Sequence, residues 1–249
     1  MLNTIITMVE IKKMVDIHNH LIYNVDDGSK SIEESLNIIK GLYCIGVTDL
    51  IITPHYIYQT KYNSSRSNNL KKLEELKKVL KKENININLY LGNEIYIDNE
   101  LDKILEYGDI SSLNNSKYLL IELPLGREYP DYLDIFKNLI DKGYKVILAH
   151  PERYSIVSSD FNVIYDLKNI GVLFQTNLGS SIKEYGKDSK KILKRLLKED
   201  LVFCVGSDIH HETNYKKYLK AIKKYIKYSK NKNIFEKFNK NSLDIINNK

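Results

Sequence analysis

The sequence predicts an α/β fold in which parallel strands alternate with helices and close into a (β/α) barrel. Seven short apolar runs rich in branched residues alternate with longer segments of helical periodicity. That is the pattern of a parallel sheet with crossover helices. Histidines and carboxylates recur just after these runs, at the strand ends where βα barrels gather their catalytic groups. A length of 249 residues also suits a single barrel domain.

The strands are expected at 14–17, 48–53, 87–91, 118–123, 145–149, 172–176 and 201–205. Ser31-Ile32-Glu33-Glu34 has the spacing of a capping box and starts a helix over 32–45 that ends near Gly46. Leu70, Leu73, Leu76 and Leu80 repeat at helical spacing across 70–82, with lysines and glutamates between them. Segments 132–142 and 188–199 follow the same pattern, each closing shortly before the next strand. Segment 215–228 is the last regular helix, and the Asn/Lys-rich C-terminal segment is expected to pack as one more. Residues 1–13 read as a short extension, with one domain over 14–249.

The bulk properties exclude several function classes. The apolar share of 43% supports a real core, and the net charge of +6 comes from lysines scattered among acidic residues. That reads as a solvated surface, not a nucleic-acid stripe. Cys44 and Cys204 sit among apolar neighbours without a Cys-x-x-Cys spacing, so both are expected as core fillers with reduced thiols. No signal peptide is recognisable, and 1–13 is too short to span a bilayer. A cytoplasmic protein with no stable membrane insertion is the expectation.

The chemistry concentrates in His18-Asn19-His20, Asp26-Asp27-Gly28, Pro54-His55, Asn93-Glu94, Ile121-Glu122, His150-Pro151-Glu152-Arg153-Tyr154 and Ser207-Asp208-Ile209-His210-His211. His-x-His at a strand exit points two imidazoles to one side. Glu122 lies inside an apolar run, where a charge is costly unless paired or metal-bound. Imidazole suits zinc, iron and manganese, and carboxylates harden a site toward manganese and magnesium. So many ligands exceed one ion and suit two or three, within roughly 3.5–4 Å of a neighbour. Such centres are typical of phosphoester hydrolysis. Asp26 and Asp27 also read as a turn before Gly28, and Arg153 as either a phosphate ligand or a salt-bridge partner. Tyr56, Tyr58 and Tyr62 follow His55 and could line a mouth for an aromatic substrate. The cysteine-phosphatase loop, Cys and five residues then Arg, is absent.

These segments resemble the polymerase and histidinol phosphatase superfamily. The Asp-Asp-Gly and Ala-His-Pro-Glu-Arg-Tyr blocks resemble its bacterial manganese-dependent protein-tyrosine phosphatases of capsule and exopolysaccharide synthesis. The resemblance runs from about Met14 to about Glu212. It implies a distorted seven-stranded barrel with a trinuclear centre, usually of manganese, with Mg2+, Fe or Zn2+ as alternatives. One ion would be held by His18, His20, Glu94 and Asp208; a second by Glu94, Glu122 and His150; a third by Asp27, His55 and His210. Arg153 would bind substrate phosphate, and a metal-bridged hydroxide would attack it. The implied substrate is phosphotyrosine on a bacterial tyrosine kinase; a nuclease-like phosphodiesterase is a further possibility within the superfamily, against which the lack of a basic, aromatic-interleaved stretch speaks.

One position departs from the pattern. Members of the Gram-positive type carry a second arginine shortly after the final Asp-x-His, where this chain has His210-His211-Glu212-Thr213-Asn214-Tyr215-Lys216. The doubled histidine resembles another branch of the same group. His211 could contact the phosphate or the leaving group, or be a surface residue, and Lys216 or Lys217 could supply a point charge. Histidinol phosphate or another small phosphoester is the alternative substrate within the superfamily, and a non-catalytic metal-stabilised binding module is the alternative of another class. Oligomeric state is not legible.

Overall fold

The structure, a computed structural model, describes residues 14–107, 109–126 and 131–248; the expected extension 1–13 lies outside them. Each expected apolar run contains a strand, and all paired strands are parallel. The strands are β1 (Met14–Asp16), β2 (Val47–Ile52), β3 (His55–Tyr56), β4 (Asn88–Leu91), β5 (Glu94–Tyr96), β6 (Tyr118–Glu122), β7 (Lys145–Ala149), β8 (Leu173–Asn177) and β9 (Cys204–Gly206).

The described residues thus form nine strands in two sheets, ordered β1-β2-β4 and β3-β5-β6-β7-β8-β9, where the sequence reading expected seven. Two expected runs continue past a break. Pro54, which has no N–H for the ladder, separates β2 from β3, and Gly92-Asn93 separates β4 from β5. Side chains bridge the gap: Asn93 Nδ2 donates to the Pro54 carbonyl at 3.0 Å, and its Oδ1 accepts from Ser111 N at 2.8 Å. The two halves of each broken run pair in different sheets. Across the seam between β1 and β9, a parallel bridge joins Asn19 to Ile209. His20 N donates to Ile209 O at 3.0 Å and Asp208 N to His18 O at 2.8 Å.

Burial follows the period of two. In β6 and β7, Leu119, Ile121, Val146 and Leu148 join one core, and Tyr118, Leu120, Ile147 and Ala149 join another. Strands buried on both faces are what a parallel sheet covered by helices requires. The helices are α1 (Ile32–Cys44), α2 (Arg66–Lys82), α3 (Leu101–Tyr107), α4 (Tyr132–Asp141), α5 (Ser155–Ser159), α6 (Asn162–Asn169), α7 (Gly186–Lys198), α8 (Lys216–Ser229) and α9 (Ile234–Ile246). Ser31 caps α1 as expected, its side chain accepting from Glu34 N. Ser65 caps α2 the same way, five residues before the leucine pattern begins. Helices α3, α5 and α6 are too short for the apolar period to announce them. Cys204 is buried, but Cys44 is exposed, on the outer side of the last turn of α1, and fills no core.

Candidate metal centre

Glu94 organises the site. It is the first residue of β5, directly opposite His55 across the pair. Its Oε2 lies 3.1 Å from His18 Nε2, 3.3 Å from His20 Nε2 and 3.1 Å from His55 Nδ1, and its Oε1 lies 2.9 Å from His150 Nε2. Asp208 Oδ1 faces the same first pair, at 3.5 Å from His18 Nε2 and 3.4 Å from His20 Nε2. Glu122, ending β6, is 3.6 Å from His150 and 3.8 Å from His55. Asp27 Oδ1 is 3.6 Å from His55 Nε2 and 3.5 Å from His210 Nε2. All nine expected ligands converge.

Three groups have donor atoms mutually within 4.8 Å: His18, His20, Glu94 and Asp208; His20, Asp27, His55 and His210; and His55, Glu94 and Glu122. The first matches the expected set. The second adds His20 to the expected Asp27, His55 and His210, since His20 and His210 stack at 3.9 Å between ring centroids; the third has His55 where His150 was expected, although His150 Nε2 lies 2.9 Å from Glu94 and 3.6 Å from Glu122.

The donor set fits divalent cations. Glu94 Oε2 and His55 Nδ1 are buried and have no hydrogen-bond partner, although they face each other at 3.1 Å. Converging lone pairs of this kind are satisfied by a cation. Titration agrees. Burial disfavours the charged form of His18, yet Glu94 and Asp208 outweigh it and push the imidazole up to about 9. His20 is likewise raised, by Asp26 foremost against burial. Burial penalises ionised Glu94 and Asp208, but His18 chiefly holds both carboxyls below their ordinary range. Glu122 goes the other way: burial, then repulsion from Glu94 and Asp208, raises it. So many carboxylates cannot all ionise in one buried site without added positive charge.

The sign for stability follows. His18, raised from 6.5, contributes fully below pH 6.5 and loses its contribution as the pH rises toward 9. Raised Glu122 also costs stability as the pH rises, and lowered Glu94 and Asp208 lose theirs as it falls below the carboxylate range. Burial lowers His55, His150 and His210, so each subtracts stability as the pH falls below 6.5. Metal uptake at pH 7 should release protons from His18 and His20, because ligating imidazole is neutral. Binding enthalpies measured in two buffers of different ionisation heat check this; equal enthalpies would contradict it.

A second layer fixes the ligand rings, and most of it was not apparent from the sequence. His18 Nδ1 donates to Gln175 Oε1 at 2.9 Å and His20 Nδ1 to Asp26 Oδ2 at 2.8 Å, leaving both Nε2 atoms toward Glu94. Asp26 also accepts from His55 N and Gly28 N, so it is more than the turn residue expected. Asp16 accepts from Ser207 N, Ser207 Oγ and His18 N. Gln175-Thr176-Asn177, the strand end without a ligand, supplies orienting amides: Asn177 Nδ2 donates to Asp208 Oδ2 at 2.7 Å. His150 and Asp208 both adopt positive φ, 33° and 54°, strain of the kind found at functional sites.

Two glycines make room for the His-x-His pair. A Cβ on Gly28 would lie 2.5 Å from His20 Cβ, and one on Gly206 would lie 2.5 Å from His18 Cβ and 2.9 Å from Gln175 Nε2. Gly206→Ala should displace His18, cost about 1–3 kcal/mol and weaken metal binding. Denaturant unfolding and metal titration would show it; unchanged metal affinity would contradict it.

The Ala-His-Pro-Glu-Arg-Tyr block divides its labour. Tyr154 pins two strand ends, donating to Ala149 O and accepting from Leu123 N. Buried Glu152, pushed up to about 7 by burial, accepts from Asn177 N and Ser180 Oγ. Arg153 donates from Nη1 to Asp208 Oδ2 at 2.7 Å, with its guanidinium 4.4 Å from the Tyr185 ring centroid. It opens into a cavity of about 270 Å3 that also holds Asp27, Glu94, Glu122 and His150 and is flanked by Ile57, Tyr62, Tyr96 and Leu125. Of the three expected tyrosines, Tyr62 lines this mouth, while Tyr56 is buried and Tyr58 exposed.

His211 is not drawn in. It is exposed, pairs with Glu34 at 3.1 Å and lines an adjoining cavity with Lys217. Lys217 is bound to Glu184 at 2.6 Å.

A parallel α/β fold with this cluster at its strand ends defines a protein of the polymerase and histidinol phosphatase class. The chain belongs to the CpsB/CapC family of capsular polysaccharide synthesis, whose model matches residues 14–247. It is 35% identical over 202 residues to CapC of Staphylococcus aureus, covering 81% of this chain and 78% of that one. It is 32% identical over 206 residues to the tyrosine-protein phosphatase CpsB of Streptococcus pneumoniae, covering 80% and 83%. A crystal structure from work on YwqE of Bacillus subtilis and that CpsB, described as metal-dependent tyrosine phosphatases, matches with a TM-score of 0.88 at 27% identity over 95% of both chains. Histidinol phosphate phosphatase of Lactococcus lactis shares the fold, with a TM-score of 0.57 at 12% identity over 88% of this chain and 94% of that one.

Proposed function

We propose that the chain is a metal-dependent protein-tyrosine phosphatase that removes phosphate from a bacterial tyrosine kinase of capsule or exopolysaccharide synthesis. On this reading 14–249 is one cytoplasmic catalytic domain, a seven-stave barrel whose second and third staves are each broken in two. The observation that carries it is the opening of Arg153 into the same cavity as the unsatisfied Glu94 and His55 atoms.

His18, His20, Glu94 and Asp208 would hold one divalent ion. Glu94, Glu122 and His150, with His55 beside them, would hold a second, and Asp27, His55 and His210 a third. Manganese suits this mixture best, with Mg2+, Fe or Zn2+ as alternatives. Bound ions supply Lewis acidity for activating water and neutralising phosphoryl charge. The chain's own residues do the rest. Asp208 and the Tyr185 ring hold the Arg153 guanidinium so that its remaining N–H donors can meet phosphate oxygens in a fork. Gln175 and Asp26 keep the imidazoles in one tautomer. Ile57, Tyr62, Tyr96 and Leu125 offer an apolar flank for the phenyl ring, which favours an aryl over an alkyl phosphate.

His211 can protonate the leaving tyrosinate only if its ring turns from Glu34. If it does, His211→Ala should lower turnover of a phosphotyrosine peptide about 10-fold or more. It should leave p-nitrophenyl phosphate, whose leaving group needs no proton, unchanged. An equal effect on both substrates would remove that role.

The deciding experiment is phosphate release from a tyrosine-phosphorylated peptide, with manganese and with chelator, against histidinol phosphate as competitor. Manganese-dependent turnover of the peptide is expected. Preference for histidinol phosphate would reassign the substrate, and no turnover of either by metal-loaded protein would favour a binding module.

A further inference from the structure

Charge is placed unevenly over the molecule. Helices α7 and α8 together carry twelve basic residues and one acidic residue, Asp188. That is net +11 in a chain of net +6, so the remainder carries −5. Helical geometry concentrates it further. In α8, Lys216, Lys217, Lys220, Lys223, Lys224 and Lys227 fall within an arc of about 120°, opposite buried Tyr218, Ala221, Ile222 and Tyr225. In α7, Lys187, Lys190, Lys191, Lys194 and Lys198 fall within about 100°, and Asp188 lies outside that arc.

The two arcs meet. Tyr228, bordering the α8 arc, has Lys194 Nζ at 4.9 Å and Lys190 Nζ at 5.9 Å from its ring centroid. The helices therefore present one continuous lysine face. Among the described residues only Lys217 of these eleven lysines is in an ion pair. Arg195, the one arginine, is bound to Glu199 at 2.9 Å.

We propose that the α7–α8 face docks the protein on an anionic lipid bilayer. Its chemistry selects that occupant. Lysines are hydrated point charges without the fork that reads a phosphate diester, and the one guanidinium is engaged elsewhere. The face is a pair of packed helices carrying a diffuse field, which matches a charged plane better than a groove-bound strand. Lysine clusters on helices partition to anionic lipid with about a fivefold gain per lysine. No helix of the described residues is long and apolar enough to cross a membrane, so the attachment is peripheral. Helix α8 begins beside the cavity of His210 and His211. Docking along it brings the site within about one helix length, roughly 20 Å, of the lipid.

The test is co-sedimentation of the full chain with vesicles of phosphatidylglycerol and phosphatidylcholine, and of phosphatidylcholine alone. Wild type should bind the anionic vesicles only, and lose them as NaCl is raised. A variant with Lys190, Lys194, Lys220 and Lys224→Gln should partition about 600-fold more weakly while its turnover of a soluble phosphopeptide is unchanged. A control with Lys71, Lys78, Lys81 and Lys82→Gln in α2, of equal charge, should change little. Equal loss in both variants, equal binding to both vesicles, or no wild-type binding at low salt would overturn the proposal. Tighter binding to duplex DNA than to anionic vesicles at the same salt would also overturn it, in favour of a nucleic-acid partner. Should the fourfold variant not fold, the lipid and salt dependence of wild type still decides.

Discussion

Replacing Glu94 with glutamine is expected to lower phosphotyrosine turnover by about 10³-fold and to release bound metal, with the fold retained. No other side chain in the site reaches four imidazoles; Glu94 lies between 2.9 and 3.3 Å from His18, His20, His55 and His150. It contributes to two of the three donor groups, so one amide substitution removes the shared negative charge from both. The amide nitrogen would also face donors where a carboxylate oxygen faced cations. Elemental analysis beside steady-state kinetics checks this. Full metal content with normal turnover would show that Glu94 is not a ligand.

Arg153→Lys should cost about 10²-fold in kcat/KM, with most of the loss in affinity for phosphate. The guanidinium does two things at once: it donates to Asp208 and stacks on Tyr185, leaving further donors for substrate. An ammonium cannot hold both anchors and present a fork. Asp208 remains paired through Asn177, so metal content should stay near wild type, which separates this variant from Glu94→Gln. The inhibition constant of inorganic phosphate is the direct readout; an unchanged value would reduce Arg153 to a salt-bridge partner of Asp208.

How far the sequence reaches is visible residue by residue. The converging histidines and carboxylates were legible because each is a costly residue type placed at an apolar run; Glu122 within Ile121-Glu122-Leu123 is the sharpest case. The orienting residues were not. Gln175, Asn177, Asp16 and Ser207 are ordinary polar residues, and nothing local says that Gln175 meets His18, 157 positions away. Tyr62 was visible only as one of three tyrosines, and its separation from buried Tyr56 and exposed Tyr58 depends on a loop closed by Ile57 N donating to Tyr62 O. His211 was legible only as either a site or a surface residue, and its ring pairs with Glu34.

The sequence by itself determined the parallel α/β class, the apolar runs that become strands and the residues that converge on the candidate centre, because apolar periodicity and the cost of burying charge are local quantities. The tertiary structure alone decided which imidazole shares which carboxylate, where the expected strands break at Pro54 and Gly92, and that the lysines of α7 and α8 form one face. Those depend on distances between segments far apart in the chain, which only packing sets.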